Sequence, residues 1–289
     1  MRVAEWKDYS VIATGNGYKL EDWAGVTLLR PDPQVIWNSQ MDMDGYKKLV
    51  AKYIRSETGG GRWLIKGKMP AEWTVSYKDL KFKIKPMGFK HTGLFPEQAV
   101  NWDLMTDLIK NAGREINVLN LFAYTGGATV ACAKAGAKVC HVDAAKGMVE
   151  RAGENVRLSN VGEGKVRYII DDCKKFVERE IRRGRTYDAI IMDPPSYGRG
   201  PNGEMWKLEN ELYSFVSLCA KVLSDNPLFV LINSYTTGLQ PQVLKNILAL
   251  TIANQKGGKI EAYEVGLKTQ EKGVVLPCGN SGIWINESH

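Results

Sequence analysis

The sequence predicts an α/β fold with a doubly wound, mostly parallel sheet over residues 91–289, preceded by a small β-rich domain over residues 1–90. Two observations predict this division. Five of the eight tryptophans lie before residue 90, among short β-type runs and turn signals. From about residue 97 onward, short apolar runs alternate with helical patterns at the spacing of β-α-β units.

The N-terminal region contains several short strand signals. Runs at 9–13 and 26–29 are separated by Gly/Asn and Pro/Asp turn residues. The segments 73–77 and 80–84 alternate apolar and polar residues across a two-residue turn, which predicts a hairpin with one solvated face. One helix is predicted over 43–55. We expect the tryptophans to form the core of this small domain.

The C-terminal region begins with a helix predicted over 97–112, followed by alternating strands and helices. The runs Val118–Phe122 and Ala189–Met192 are short and mainly apolar, which is typical of strands covered on both faces. Strands are predicted at 116–122, 138–143, 166–171, 187–193, 227–234 and 259–266. Helices are predicted at 127–135, 145–159, 172–183, 208–223 and 240–254.

Composition excludes several classes of protein. No apolar stretch is long enough to span a membrane, and the first ten residues lack the apolar core of a secretory signal. Five scattered cysteines without a Cys-x-x-Cys pair argue against a disulfide framework and a zinc site, and three dispersed histidines add no metal cluster. We therefore expect a cytoplasmic protein without a metal. The net charge of +7 favours polyanions, of which nucleic acid is the commonest in a cytoplasm.

Four predicted loops fall where such sheets bind ligands, beyond the carboxyl ends of the strands. Phe122–Ala128 follows the first strand and opens a helix with two glycines, which allow close approach of a ligand. This loop lacks the Gly-x-Gly-x-x-Gly motif that binds a pyrophosphate. It suits a ligand whose only anionic group is a carboxylate. Asp143 follows the second strand, at a spacing suited to ribose hydroxyls.

The third and fourth strands are also followed by acidic residues. Asp171 and Asp172 either bind an adenine amino group or cap the next helix, since aspartate is favoured at that position. Asp193-Pro194-Pro195 follows the fourth strand, and its prolines remove two donors and leave carbonyls for a substrate. Together the four loops predict a nucleoside site.

The order of NLFAYTGG, VDAAKGMVERAGENV, DDC and DAIIMDPPSYG resembles the class I S-adenosylmethionine-dependent methyltransferases. More narrowly, it is similar to the bacterial enzymes that modify cytosine C5 or guanine N7 of large-subunit rRNA, whose Thr-Gly-x-aromatic-x-x-Gln element matches Thr92–Gln98. The likeness covers about residues 85–285. It implies a Rossmann-like seven-stranded sheet, S-adenosylmethionine as cofactor, and a last antiparallel strand at Ser281–Ile285 after a turn at 277–279.

The resemblance also implies roles for matching residues. Asp143 would hold the ribose and Asp172 the adenine amino group, while Cys173 would offer its backbone N–H to the ring. Phe95 and Gln98 would flank the cofactor from the linker. The residues that would line its methionine and ribose portion are Phe122, Tyr124, Thr125 and Gly126. The catalytic element would be Asp193, Pro194, Pro195 and Ser196, with Asp193 nearest the methyl group.

The acceptor is predicted from what the chain lacks. A sulfonium methyl is already activated, so catalysis is largely alignment, and Asp193 or the Pro194 carbonyl would orient a base nitrogen. Cytosine C5 requires a thiolate. The C5 enzymes carry a cysteine after the fifth strand, whereas Asn233–Leu239 has none. Cys278 either acts directly over the pocket or packs in a turn. We therefore expect methylation of a base nitrogen.

Lysine and arginine residues within 62–90 predict RNA binding, with solubility as the alternative. The basic run at 174–185 suits the C-terminus of a helix. The glycine-rich loop 198–204 is either a lid or a plain connection. The leading prediction is an rRNA methyltransferase. One alternative is a methyltransferase that acts on a small molecule or a protein. Another is a nucleoside-binding regulator that has lost catalysis, and the intact Asp193–Pro195 argues against this second alternative.

Overall fold

The computed structural model describes residues 1–57, 60–199 and 205–287. It divides into two compact units. The β unit comprises Met1–Val100 and Gly266–Cys278, and the α/β unit comprises Asn101–Val265 and Gly279–His289. No local pattern in the sequence indicates that Gly266–Cys278 returns to the β unit.

The β unit is built on a five-stranded sheet and a hairpin. Its strands are β1 (Arg2–Val3), β2 (Tyr9–Gly15), β3 (Tyr18–Trp23), β4 (Val26–Pro31), β5 (Leu49–Arg55), β6 (Gly61–Ile65), β7 (Trp73–Tyr77) and β8 (Leu80–Ile84). The sheet has the order β2-β3-β4-β5-β6, with only the β4–β5 pair parallel. β7 and β8 form the predicted antiparallel hairpin.

The predicted helix over 43–55 is wrong. Its second half is β5, in which buried residues alternate with half-buried ones up to Ile54, the period of a strand. Pairing with a strand on each side fixes this conformation, and such pairing is invisible in the local sequence.

The tryptophans of the β unit do not all form its core. Trp23 is fully buried, whereas the other four are half-buried and anchor distant segments through their ring N–H groups. These bonds are Trp6 to Pro96 O (2.9 Å), Trp37 to Thr14 Oγ1 (3.0 Å), Trp63 to Met87 O (2.8 Å) and Trp73 to Trp23 O (2.9 Å). A separate buried cluster of this unit contains Ala13, Leu20, Leu29, Met43 and Leu49.

The remaining elements alternate as the sequence predicts. After a 3₁₀ turn at Pro96–Gln98, the helices are α1 (Ala99–Asn111), α2 (Gly127–Lys134), α3 (Lys146–Leu158), α4 (Cys173–Arg182), α5 (Leu208–Ala220), α6 (Pro241–Leu248), a π-helical turn (Ala249–Ala253) and α7 (Asn254–Lys256). The strands are β9 (Asn117–Leu121), β10 (Lys138–Asp143), β11 (Val166–Ile170), β12 (Ala189–Met192), β13 (Tyr197–Arg199), β14 (Met205–Lys207), β15 (Phe229–Ser234), β16 (Lys259–Lys268) and β17 (Val275–Ile285).

Seven of these strands belong to the eight-stranded main sheet and lie in the order β16-β17-β15-β12-β9-β10-β11. The five from β15 to β11 pair in parallel, and β17 runs antiparallel to β15, which confirms the predicted fold. The predicted turn at 277–279 is wrong, because these residues continue β17. The register with β15 ends at Asn280, so the missing N–H of Pro277 removes no bond to that strand.

The helices cover both faces of this sheet. One large apolar cluster joins the inner strands to α4, α5 and α6 and includes the fully buried Trp284. β13 and β14 pair as an antiparallel ribbon, and residues 200–204 of the predicted lid loop lie outside the described residues. Along the described chain, no helix combines the length and the apolar character needed to cross a membrane.

Candidate functional site

The carboxyl edge of the main sheet brings four loops together. β9 lies at the centre, and the chain proceeds from it to β10 and β11 on one side and then to β12 on the other. The loops after β9 and β12 therefore leave in opposite directions, which opens a crevice where ligands bind in such sheets. The loops after β9, β10, β11 and β12 carry the predicted site residues of this unit.

The loop after β9 has a backbone conformation that few residues tolerate. Phe122 and Tyr124 have left-handed φ angles of 53° and 51°, which costs non-glycine residues about 1–3 kcal/mol each. Gly126 has φ 83°, and a Cβ there would lie 2.9 Å from the Cβ of Ala152. The carbonyl of Thr125 accepts a bond of 2.9 Å from Asn155 Nδ2. The surrounding contacts therefore hold this loop in a strained, narrow shape.

Asp143, which ends β10, ties the loop after β9 to its own loop. Its Oδ2 accepts the backbone N–H of Tyr124 at 2.9 Å, and its Oδ1 accepts that of Ala145 at 2.9 Å. Each oxygen retains a second lone pair, so the carboxylate can still accept a hydroxyl. The structure thus adds a tethering role to the predicted ribose role.

The two aspartates of the loop after β11 both form hydrogen bonds within the chain. Asp172 caps α4, since its Oδ1 accepts the N–H of Lys175 at 2.9 Å. Asp171 pairs with Arg179 and accepts the N–H of Asp172 at 2.8 Å. The capping interpretation is therefore correct for Asp172, whose Oδ2 is not used by the cap.

Cys173 links the loops after β9 and β11. Its buried Sγ accepts the backbone N–H of Phe122 at 3.3 Å. Burial raises the pKa of the Cys173 thiol far above its ordinary value, so it remains protonated. It supports the loop and has no thiolate character.

The loop after β12 contains the predicted catalytic element. The N–H of Asp193 points to Leu121 O at 3.4 Å, and Pro194 is buried. The carbonyl of Pro195 accepts the ring N–H of Trp206 at 2.6 Å, so the expectation that both proline carbonyls face a substrate is wrong for Pro195.

Ser196 connects this element to the end of β15. Its hydroxyl lies 2.7 Å from that of Thr236, and its carbonyl accepts the N–H of Leu208 at 3.1 Å. Trp206 also packs against Phe122, with ring centroids 5.7 Å apart. Sequence reasoning assigned no role to Trp206 or Thr236, because nothing in either segment indicates a contact with the proline element.

A buried polar trio supports the site from below. Asn120 on β9 donates to Thr129 Oγ1 on α2 at 2.9 Å, and the Thr129 hydroxyl forms a hydrogen bond of 2.8 Å with Nδ1 of His141 on β10. Burial lowers the pKa of His141 to about 4, so the ring is neutral at physiological pH. A Cβ on Gly126 would lie 3.5 Å from the His141 ring, which places the trio directly under the glycine turn.

Three residues discussed in the sequence analysis belong to the β unit. Gln98 is buried in the 3₁₀ turn, and the ring of Phe95 lies 5.6 Å from that of His91. Cys278 donates to Leu276 O at 3.6 Å, and burial raises the pKa of its thiol well above the ordinary value. Cys278 is therefore a packed thiol within a strand, and the turn expected around it does not form.

Comparisons with known proteins agree with this geometry. A family model described as S-adenosylmethionine-dependent methyltransferase matches residues 34–213. The crystal structure of an S-adenosylmethionine-dependent methyltransferase from Agrobacterium tumefaciens superposes with a TM-score of 0.91 and 32% identity, covering 98% of this chain and 91% of that one.

Curated relatives match over part of their length. The ribosomal RNA large subunit methyltransferase K/L of Shewanella frigidimarina is 33% identical over 148 residues, which is 50% of this chain and 20% of the relative. A putative ribosomal RNA large subunit methyltransferase of Methanocaldococcus jannaschii is 31% identical over 147 residues, 51% of this chain and 36% of the relative. The chain therefore spans between a fifth and about a third of the length of these two relatives.

Proposed function

Because the chain belongs to the S-adenosylmethionine-dependent methyltransferase family, we propose that it transfers the methyl group of S-adenosylmethionine to a base nitrogen of RNA, with ribosomal RNA as the substrate. The observation that carries the proposal is the set of carboxylates at the carboxyl edge of the main sheet. Asp143, Asp172 and Asp193 follow three of the four strands. A ligand with phosphate groups would need cations at this edge, but these loops present carboxylates. Carboxylates suit a nucleoside that carries a positively charged sulfonium instead.

The cofactor would be held by the residues that the four loops present. Asp143 would accept the ribose hydroxyls, and Asp172 would accept the adenine amino group through Oδ2 while Oδ1 caps α4. The backbone N–H of Cys173 would face the adenine ring. The loop residues along the methionine and ribose are Phe122, Tyr124, Thr125 and Gly126.

The turn at Gly126 supports this assignment indirectly, since the absence of a Cβ lets the loop backbone pack against Ala152, which fixes the position of the loop at the carboxyl edge. When bound, the cofactor supplies an activated methyl group. The chain's own residues then have to orient the acceptor and exclude water. Asp193 would accept a hydrogen bond from the base and aim the nitrogen lone pair, with Pro194, Pro195 and Ser196 shaping the pocket.

The cysteines favour a nitrogen acceptor over cytosine C5. Addition to cytosine requires a thiolate, and burial raises the pKa of each of the chain's five cysteines. The pKa of Cys140 is raised to about 11 and that of Cys132 to about 12. A base nitrogen needs only alignment, which rigid loops supply.

RNA is proposed as the substrate from charge and from the relatives. The chain carries a net charge of +7, and both curated relatives described above are named rRNA methyltransferases. The basic residues within 62–90 are Arg62, Lys66, Lys68, Lys78, Lys81, Lys83, Lys85 and Lys90. Carboxylates face some of them, as Glu72 faces Lys83 at 3.0 Å.

The test is methyl transfer to RNA from the source organism after deletion of the gene. Purified protein with isotopically labelled S-adenosylmethionine should label this RNA, and mass spectrometry of its nucleosides should find the label on a base nitrogen. Asp193→Asn is the control, and it should retain binding of S-adenosylhomocysteine while losing transfer. Labelled 5-methylcytidine would overturn the nitrogen assignment, and label confined to protein or small molecules would overturn the RNA assignment.

A further inference from the structure

The segment 85–92, which follows β8, forms a narrow loop that we call the Phe89 loop. Its two sides are joined by backbone bonds from Lys85 N to Thr92 O at 3.0 Å and from Met87 N to His91 O at 3.2 Å. Gly88, Phe89 and Lys90 therefore form its tip.

Side chains from three neighbouring strands hold the backbone of this tip. Arg30 on β4 donates to Lys90 O at 3.0 Å, Tyr53 on β5 donates to Gly88 O at 3.1 Å, and Trp63 on β6 donates to Met87 O at 2.8 Å. Arg30 is itself oriented by Glu21. The tip is therefore fixed on the sheet of the β unit by buried or half-buried anchors.

This anchored tip presents an aromatic ring to solvent. The side chain of Phe89 is 66% exposed, although its two neighbours' carbonyls are both held by the sheet. Because the backbone on both sides of Phe89 is already held, the loop needs no further ordering when a flat ligand covers the ring.

The charge of the Phe89 loop indicates which ligand the ring fits, because residues 85–92 include Lys85 and Lys90 and no acidic residue. Burial, followed by the positive charges of Lys19 and Arg55, lowers the pKa of Lys90 to about 8 against the opposing charge of Asp32. Lys19 and Arg30 are themselves paired with Asp32 and Glu21. If an apolar protein surface docked here, it would desolvate the positive charges at a cost in free energy. The phosphodiester of a nucleic acid would instead neutralise them. An exposed aromatic ring on a basic segment suits an unpaired nucleotide, whose base stacks on the ring while a cation contacts the phosphate.

We propose that Phe89 is a stacking platform for an unpaired base of the RNA substrate, and that Lys90 contacts the phosphate next to that base. This inference rests on the proposed function, since it names how the same RNA is bound. The β unit then selects single-stranded or looped RNA through a base contact, in addition to general charge attraction.

The experiment compares two ligands and three variants of the whole chain. An unstructured oligoribonucleotide and the same oligomer with abasic sites are titrated against wild type, Phe89→Ala, Phe89→Tyr and Ile36→Ala. Ile36 is the matched control because it is an exposed apolar side chain of the same unit, 90% exposed. Phe89→Ala should weaken binding of the intact oligomer about tenfold and leave the abasic oligomer unchanged. Phe89→Tyr and Ile36→Ala should bind both oligomers as wild type does.

Lys90→Gln supplies a second readout, because losing one phosphate contact should reduce the salt slope of binding by about 0.7. Equal affinities of Phe89→Ala and wild type for the intact oligomer would overturn the proposal, as would an equal loss on the abasic oligomer. These outcomes are separate from failure of the proposed function, which is scored by methyl transfer. If wild type methylates RNA and Phe89→Ala binds it normally, only the stacking proposal fails, and if wild type binds no RNA, both fail.

Discussion

Replacing Asp143 by asparagine tests whether one carboxylate holds the loop after β9 in its left-handed conformation. The two carboxylate oxygens accept the N–H groups of Tyr124 and Ala145, each at 2.9 Å. Asparagine keeps one acceptor but turns an NH₂ group toward the other N–H, so one bond to a charged acceptor is lost. Such a bond contributes about 1.5–3 kcal/mol, and we expect the free energy of unfolding to fall by about 2 kcal/mol.

The same change should weaken cofactor binding. If the released loop must be ordered again when the ligand binds, about 2 kcal/mol corresponds to a loss of roughly thirtyfold in affinity for S-adenosylhomocysteine. Urea denaturation followed by circular dichroism measures the stability, and calorimetric titration measures the affinity.

Asp172→Asn is the matched control for stability. Asparagine caps a helix about as well as aspartate, so α4 should keep its cap and the free energy of unfolding should change by less than about 0.5 kcal/mol. If Asp143→Asn proves as stable as wild type, or no less stable than Asp172→Asn, the tethering role of Asp143 is refuted.

Two further predictions concern the turn at Gly126 and the His141 ring beneath it. Gly126→Ala should destabilise more than Gly113→Ala, by about 1–3 kcal/mol in urea denaturation, because both have left-handed φ but only Gly126 lacks room for a Cβ. Equal losses would contradict this. The pKa of His141 is about 4 when folded and 6.5 when unfolded, so the unfolded chain binds the extra proton between these values. The neutral His141 ring therefore contributes about 3 kcal/mol to the free energy of unfolding above pH 6.5, and this contribution is lost as the pH falls toward 4. Stability measured across this range should therefore fall less steeply in His141→Asn, and equal slopes would exclude the assignment.

The main sheet could be predicted because its information is local. The runs at Val118–Phe122 and Ala189–Met192 are mainly apolar, and each is followed by a loop of distinctive composition. The antiparallel pairing of Ser281–Ile285 followed from the resemblance and is confirmed. The order of the four loops likewise follows from parallel strands, whose carboxyl ends share one edge of a sheet.

The contacts that were missed join residues far apart in the chain. The Cys173 thiol reaches Phe122, 51 positions away, and Thr236 reaches Ser196 across 40 positions. The segment Leu49–Arg55 failed in a different way, because its hydrophobic pattern suited a helix until two neighbouring strands imposed an extended backbone. The hydrophobic periodicity of a sequence describes one helix or strand at a time. It therefore predicts neither which distant residues form contacts nor where tertiary pairing changes the local conformation.

The return of Gly266–Cys278 to the β unit has a consequence for how the protein is made. Both the N–H and the hydroxyl of Thr14 donate to Glu271, at 2.9 and 2.6 Å, and Gln270 donates its backbone N–H to Val11 O at 2.9 Å. The strands translated first thus acquire these partners only after some 260 further codons have been read. Until the ribosome releases that tail, the nascent β unit has to persist with an incomplete edge, although the sheet strands β9 to β15 are already synthesised.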